Sequence, residues 1–106
     1  MSGVGTKKVF ENDKVIVWEM TLEPGESTGQ HTHENEYFFQ VISGSTLETI
    51  SSDGVSLGEF DVATGSTHYL TLEDDELVYG DIRVPARHEA RNVGSGRYHE
   101  ILVELK

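Results

Sequence analysis

The sequence predicts an all-β protein, and two features lead there. Short runs rich in Val, Ile, Phe, Tyr and Thr recur along the chain between Gly, Asp, Ser and Pro turns. No window carries the 3.6-residue periodicity of a long amphipathic helix. Strands of this length and spacing build a barrel or sandwich, and 106 residues suffice for one domain with a single modest core. Neither an internal repeat nor a linker divides the chain. Residues 1–106 are therefore expected to form one domain, with the small, glycine-rich residues 1–5 as a flexible start.

The elements follow in order. In KVIVWEMTL (14–22), Ile16, Trp18, Met20 and Leu22 alternate as the core face, while Val15 and Val17 beside Glu19 suggest a second face partly covered by a partner subunit. Glu23-Pro24-Gly25-Glu26 reads as a type II turn, since proline presets the first φ and glycine accepts the positive second one. From Tyr37 to Ile42 a strand places Tyr37, Phe39 and Val41 on one face and Phe38, Gln40 and Ile42 on the other. Asp53-Gly54 marks a hairpin between Leu47–Ile50 and Val55–Leu57, with a further short strand over Phe60–Ala63. His68, Leu70 and Leu72 share a strand face, and the acidic run Glu73–Glu76 reads as a solvated turn. Val78–Pro85 and His88–Asn92 follow, flanking the turn that carries Ala86 and Arg87. The last strand, Arg97–Lys106, sets His99, Ile101, Val103 and Leu105 on one face and Tyr98, Glu100, Leu102 and Glu104 on the other, and hydrophobicity selects the first set for the core.

Chemistry concentrates in GESTGQHTHENEYFFQVISG, residues 25–44. His31 and His33 are one residue apart, and a strand sends alternate side chains to the same side, so both imidazoles converge on one point. Paired imidazoles suit a divalent transition ion such as Fe, Ni, Zn, Mn or Cu, and they do not suit calcium. With no cysteine in the chain, any ion must be held by nitrogen and oxygen. An isolated HxH is as often a pair of surface histidines, so the flanking residues decide.

Five residues separate Gly25 from His31 and six separate Tyr37 from Gly44, which resembles the first motif of the cupin superfamily, G(X)5HXH(X)3-4E(X)6G. Tyr37 stands where that family places a glutamate ligand. Glu36 falls on the opposite strand face and Glu34 lies nearby. In PGESTGQHTHENEY the chain is similar to small single-domain cupins with tyrosine at this place, including some associated with β-alanine degradation. Gly80, Pro85, His88 and Asn92 resemble the second motif, G(X)5PXG(X)2H(X)3N, with the Pro85–His88 spacing two residues short. The resemblance implies a cupin jelly-roll β-barrel, a homodimer, and a metal site of His31, His33 and His88. Tyr37 is then a further ligand, a catalytic group beside the ion, or a filler of the space left by the missing carboxylate. His68 and His99, on core-facing parities, are expected to be buried and hydrogen-bonded or to orient a ligand. Trp18, Phe39 and Phe60 are expected in the core, and Asn92 in turn chemistry.

Charge and composition narrow the partners. Eight basic against nineteen acidic side chains give a net charge of −11, which repels nucleic acid and anionic lipid surfaces. No stretch approaches a transmembrane helix, and MSGVGTKKVF holds no apolar run like that of a secretory signal, so a cytoplasmic protein is expected. Nucleophile motifs, phosphate-cradling loops and dinucleotide fingerprints do not appear in it. The expected function is an enzyme acting on a small organic acid or derivative through one metal centre, with dioxygenase, isomerase and lyase chemistry all open. The alternatives are a binding module for a small ligand or metal, and a structural barrel with a vestigial site.

Overall fold

The computed structural model describes residues 5–106. Eleven strands make up the regular structure: β1 (Lys7–Glu11), β2 (Val15–Leu22), β3 (His31–Thr32), β4 (Glu36–Ser43), β5 (Ser45–Ser51), β6 (Ser56–Val62), β7 (Thr67–Glu73), β8 (Glu76–Tyr79), β9 (Ile82–Pro85), β10 (Arg87–Asn92) and β11 (Tyr98–Leu105). They form a seven-stranded sheet, ordered β1-β2-β11-β4-β7-β8-β9, and a four-stranded sheet, ordered β3-β10-β5-β6. The described residues contain no helix, so none crosses a membrane as one. The architecture is the all-β jelly roll the sequence predicts. Of the expected flexible start only Gly5 lies among the described residues, and a Cβ there would sit 2.7 Å from the Cβ of Trp18.

Two glycines explain why the chain turns where it does. Gly25 has φ +88° and Glu26 donates its N–H to Glu23 O at 2.9 Å, the hydrogen bond and backbone of the predicted type II turn. At Gly44 the chain leaves β4 for β5 and so changes sheets. A Cβ there would lie 2.1 Å from Val62 O, so only glycine permits the crossing.

The core fills the space between the sheets in two clusters. One gathers Tyr37, Leu77, Ala86 and Leu102, with Trp18 and Phe39 packed against it; the other gathers Met20, Leu22, Val41, Leu47 and Tyr98. The predicted inner face of β2 is correct. The hairpin at Asp53-Gly54 forms, but the two short strands expected after it are one, because Gly58 at φ +123° carries β6 through rather than ending it. The acidic run is the turn between β7 and β8, with Asp74 at φ +57°.

The last strand corrects the sequence reading. On β11 the buried residues are Tyr98, Glu100, Leu102 and Glu104, while His99, Ile101 and Val103 stand on the outer face. Glu104 is made tolerable inside by Trp18 Nε1 and Asn35 Nδ2, which donate to its two oxygens at 2.5 and 3.1 Å. His99 therefore does not face the interior; its Nε2 donates to Glu19 on the outer face at 2.8 Å.

Asn92 behaves as predicted and ties three elements together. Fully buried, it donates from Nδ2 to Leu22 O (2.9 Å) and Gly96 O (2.8 Å), and its Oδ1 accepts from Ser45 Oγ (2.8 Å) and Gly94 N (3.0 Å).

Candidate metal centre

β10 pairs with β3 so that His88 lies directly opposite His31. His33, just past β3, is fixed by its N–H donating to Ala86 O at 2.9 Å. This register brings the three rings together: His31 lies 4.9 Å from both His33 and His88 between centroids, and His33 lies 5.0 Å from His88. One ring nitrogen from each falls within 4.8 Å of the others, and all three residues are buried. The short Pro85–His88 spacing has a structural use, since it lets Pro85 O accept from His88 Nδ1 at 2.7 Å.

That bond and its counterpart set the chemistry of the cluster. A carbonyl only accepts, so Nδ1 carries the proton in His88 and likewise in His31, which donates to Gly29 O at 3.1 Å. Both Nε2 atoms are left as lone pairs, and His31 Nε2 lies 3.1 Å from His33 Nε2. His33 Nδ1 is buried with no hydrogen-bond partner. Burial pushes all three rings below the ordinary imidazole pKa: His88 to about 4, His31 downward despite the Gly29 carbonyl, and His33 well down with the neighbouring His88 and His31 adding to the effect. Three neutral imidazoles, two held in one tautomer by backbone carbonyls, suit a borderline divalent ion.

Tyr37 closes one side of the cluster. Its ring stacks on His33 with centroids 4.4 Å apart and planes 16° from parallel. Its hydroxyl has no hydrogen-bond partner among the described residues. Burial, and then the nearby carboxyls of Glu100 and Glu104, push its pKa upward, so the phenol is protonated at neutral pH. Glu36, as its parity requires, points away and accepts from Tyr69 OH at 3.2 Å, and Glu34 is exposed.

The three histidines and Tyr37 open onto a cavity of about 350 Å³ between the sheets. Its walls are largely apolar and include Met20, Leu47, Phe60 and Leu70, with Phe39 serving both core and wall. His68 reaches it as its parity predicts, but stays apart from the cluster. Ser66 Oγ donates to Ala63 O, so His68 Nε2 donates to Ser66 Oγ at 2.8 Å while Nδ1 accepts from Tyr79 OH at 3.0 Å. This is a satisfied histidine, and the Ser66 hydroxyl, already donating elsewhere, is not poised as a nucleophile.

Sequence reasoning missed Glu100. It is 3% exposed, lines the cavity, and is flanked across the sheet by Met20 and Val41. Burial raises its pKa to about 7 against the opposing hydrogen bond from Tyr98 OH. The available signal was its place in the alternation Tyr98, Glu100, Leu102, Glu104, which the more hydrophobic opposite face outweighed.

Among solved structures, a cupin domain from Bordetella pertussis Tohama I superposes with a TM-score of 0.67 over 96% of both chains at 18% identity. The chain has the cupin fold. An RmlC-like cupin with a double-stranded β-helix fold from Methanocaldococcus jannaschii gives 0.61 over 93% of this chain and 76% of the other, at 14% identity. A sugar phosphate isomerase of the cupin superfamily from Silicibacter pomeroyi gives 0.52 over 89% of this chain and 52% of the other, at 18% identity. No protein-family model and no curated protein sequence matches the chain. At these identities the likeness covers the architecture alone, and a shared fold does not carry a shared function.

Proposed function

We propose that this cupin binds one divalent transition ion at His31, His33 and His88 and acts there on a small organic acid or a related oxygen-rich molecule. The observation that carries the reading is the meeting of three buried neutral imidazoles at the wall of a largely apolar cavity. When bound, such an ion supplies a Lewis acid for ligand oxygens. Three protein ligands leave positions open to a ligand, as a closed structural site does not. Tyr37 stands in the place of the glutamate in similar cupins. With its phenol protonated, its role is to pack against His33 and offer a hydrogen bond to a bound ligand. The alternative, a binding module without turnover, uses the same site and cavity.

The test is elemental analysis of protein isolated without a metal-chelating resin, followed by Tyr37→Phe. About one transition ion per chain is expected, and the variant should keep that content while losing affinity for oxygen ligands. A chain devoid of metal sinks the reading, whereas loss of the ion from Tyr37→Phe makes the phenol a ligand instead.

We further propose that the outer face of the seven-stranded sheet joins two copies of the chain. Phe10, Val17, Val103, Phe38 and Tyr69 stand in register across five neighbouring strands, with Phe38 and Tyr69 stacked and Phe10 and Tyr69 about half exposed. The row itself carries no charge, on a chain whose net charge is −11. Strand spacing and rise make this face about 24 Å by about 26 Å, close to one side of a standard interface. A dimer at micromolar concentration is the expected result in sedimentation equilibrium, and Val103→Glu should give a monomer with unchanged metal content. A monomeric parent protein rules the interface out.

A further inference from the structure

Two glutamates lie buried on the inner face of β11, and they are not equivalent. Glu104 receives two nitrogen donors, one on each oxygen, and is thereby a structural anchor. Glu100 receives only the Tyr98 hydroxyl, on Oε1. Its other oxygen has no protein partner among the described residues, and the side chain borders the cavity. A carboxyl between Met20 and Val41 with one neutral donor is costly to bury, and a hydrocarbon side chain would serve packing better. Such a group, kept at a cavity wall, is an indicator of chemistry.

Its placement relative to the histidines defines the ligand. Glu100 is not one of the groups that converge within 4.8 Å at the histidine cluster, yet both border the same cavity, with Tyr37 beside each. The cavity has room for a small molecule in contact with both. The lining contains no lysine or arginine, so no cationic side chain is there to hold a phosphate group.

We propose that Glu100 is the proton-transfer residue of this cavity, acting on a small unphosphorylated α-hydroxy carbonyl compound whose oxygens face the three histidines. The proposal rests on the metal-site reading given above. In the step, the C–H bond beside the carbonyl breaks and its proton passes to the free oxygen of Glu100, while the electron pair moves to the carbonyl oxygen. Returning the proton to the same carbon regenerates the compound. When the proton of the neighbouring hydroxyl passes to the former carbonyl oxygen and Glu100 returns its proton to the former carbonyl carbon, the hydroxyl carbon becomes the new carbonyl and aldehyde is exchanged for ketone. Atoms and electrons balance without an oxidant. Tyr98 is a positioning residue, holding Oε1 so that the other oxygen faces the cavity. A carboxyl whose proton affinity is raised to about 7 suits such exchange near neutral pH. The titratable groups facing it are Tyr98 and Glu104 on its own strand, Tyr37 on β4, and Asp61, His68 and the histidine cluster across the cavity.

Two measurements test this on the full chain. In the first, infrared spectra are recorded across neutral pH on protein as purified. A protonated carboxyl band should vanish as pH rises through about 7, be absent from Glu100→Gln, and titrate at higher pH in Tyr98→Phe. A parent protein without that band overturns the proposal whether or not an ion is bound. In the second, metal-bearing protein is incubated in D2O with dihydroxyacetone or D-glyceraldehyde, and deuterium at carbon is followed by NMR. Exchange with interconversion is expected, at least about a hundredfold slower in Glu100→Gln with its metal content unchanged. Equal rates in the two proteins, or no exchange in a parent protein shown to carry metal, overturn the role of Glu100 alone. Absence of the ion counts against the metal site instead.

Discussion

Replacing His31 or His88 by alanine is expected to weaken ion binding by at least about a thousandfold, while His99→Ala leaves it unchanged. Removing a partner that only orients a ligand already costs 10–100-fold in affinity, so deleting a ligand from a three-nitrogen site costs roughly a decade or more beyond that. His99 is the fitting control, since it is a histidine of the same chain held on the outer face by Glu19. The pH dependence has a definite sign. Protons compete with an ion for the ring lone pairs, and burial lowers that competition by holding His88 at about 4 and shifting His31 and His33 in the same direction. The ion should therefore stay bound at a pH of about 5.5, where an ordinary imidazole is mostly protonated. Equilibrium dialysis with a colorimetric metal indicator checks both statements. Tight binding that survives both alanine variants places the ion elsewhere.

The second large effect concerns stability. Asn92→Ala removes four hydrogen bonds at once and strands Leu22 O, Gly96 O, Gly94 N and the Ser45 hydroxyl around an empty space. A buried group left unpaired costs about 1–3 kcal/mol. Leu22 O is buried and the other three are partly reached by water, and neighbouring losses are not additive, so the expected cost is about 3 kcal/mol. Asn92→Asp keeps the acceptor and loses only the donor side, so it should fall between. Urea denaturation gives the ranking. An alanine variant within about 1 kcal/mol of the parent would mean that the backbone finds other partners.

Much of this molecule is readable from local chemistry. Pro24-Gly25 and Asp53-Gly54 specify their turns through the φ angles they permit, and the alternation in β2 names its inner face correctly. His31 and His33 announce themselves by spacing alone. His88 joins them through the β3–β10 pairing, which no local pattern contains; motif resemblance was the route to it. Hydrophobicity failed on β11, where the apolar residues line the outer face and the glutamates lie inside. Glu104 is satisfied by Trp18 and Asn35, far away in the chain, and Glu100 by a phenol and a cavity. Burial of a charge depends on partners that only the tertiary fold supplies, so period-two reasoning inverts where such partners exist.

β3 consists of two residues at the rim of the four-stranded sheet, and among the described residues its only strand neighbour is β10. An ion grasped by rings from both strands would rivet this margin to the barrel. Metal supply would then govern the order of this margin: amide protons of Gln30 to Glu34 should exchange quickly in chelator-treated protein and slowly once the ion returns.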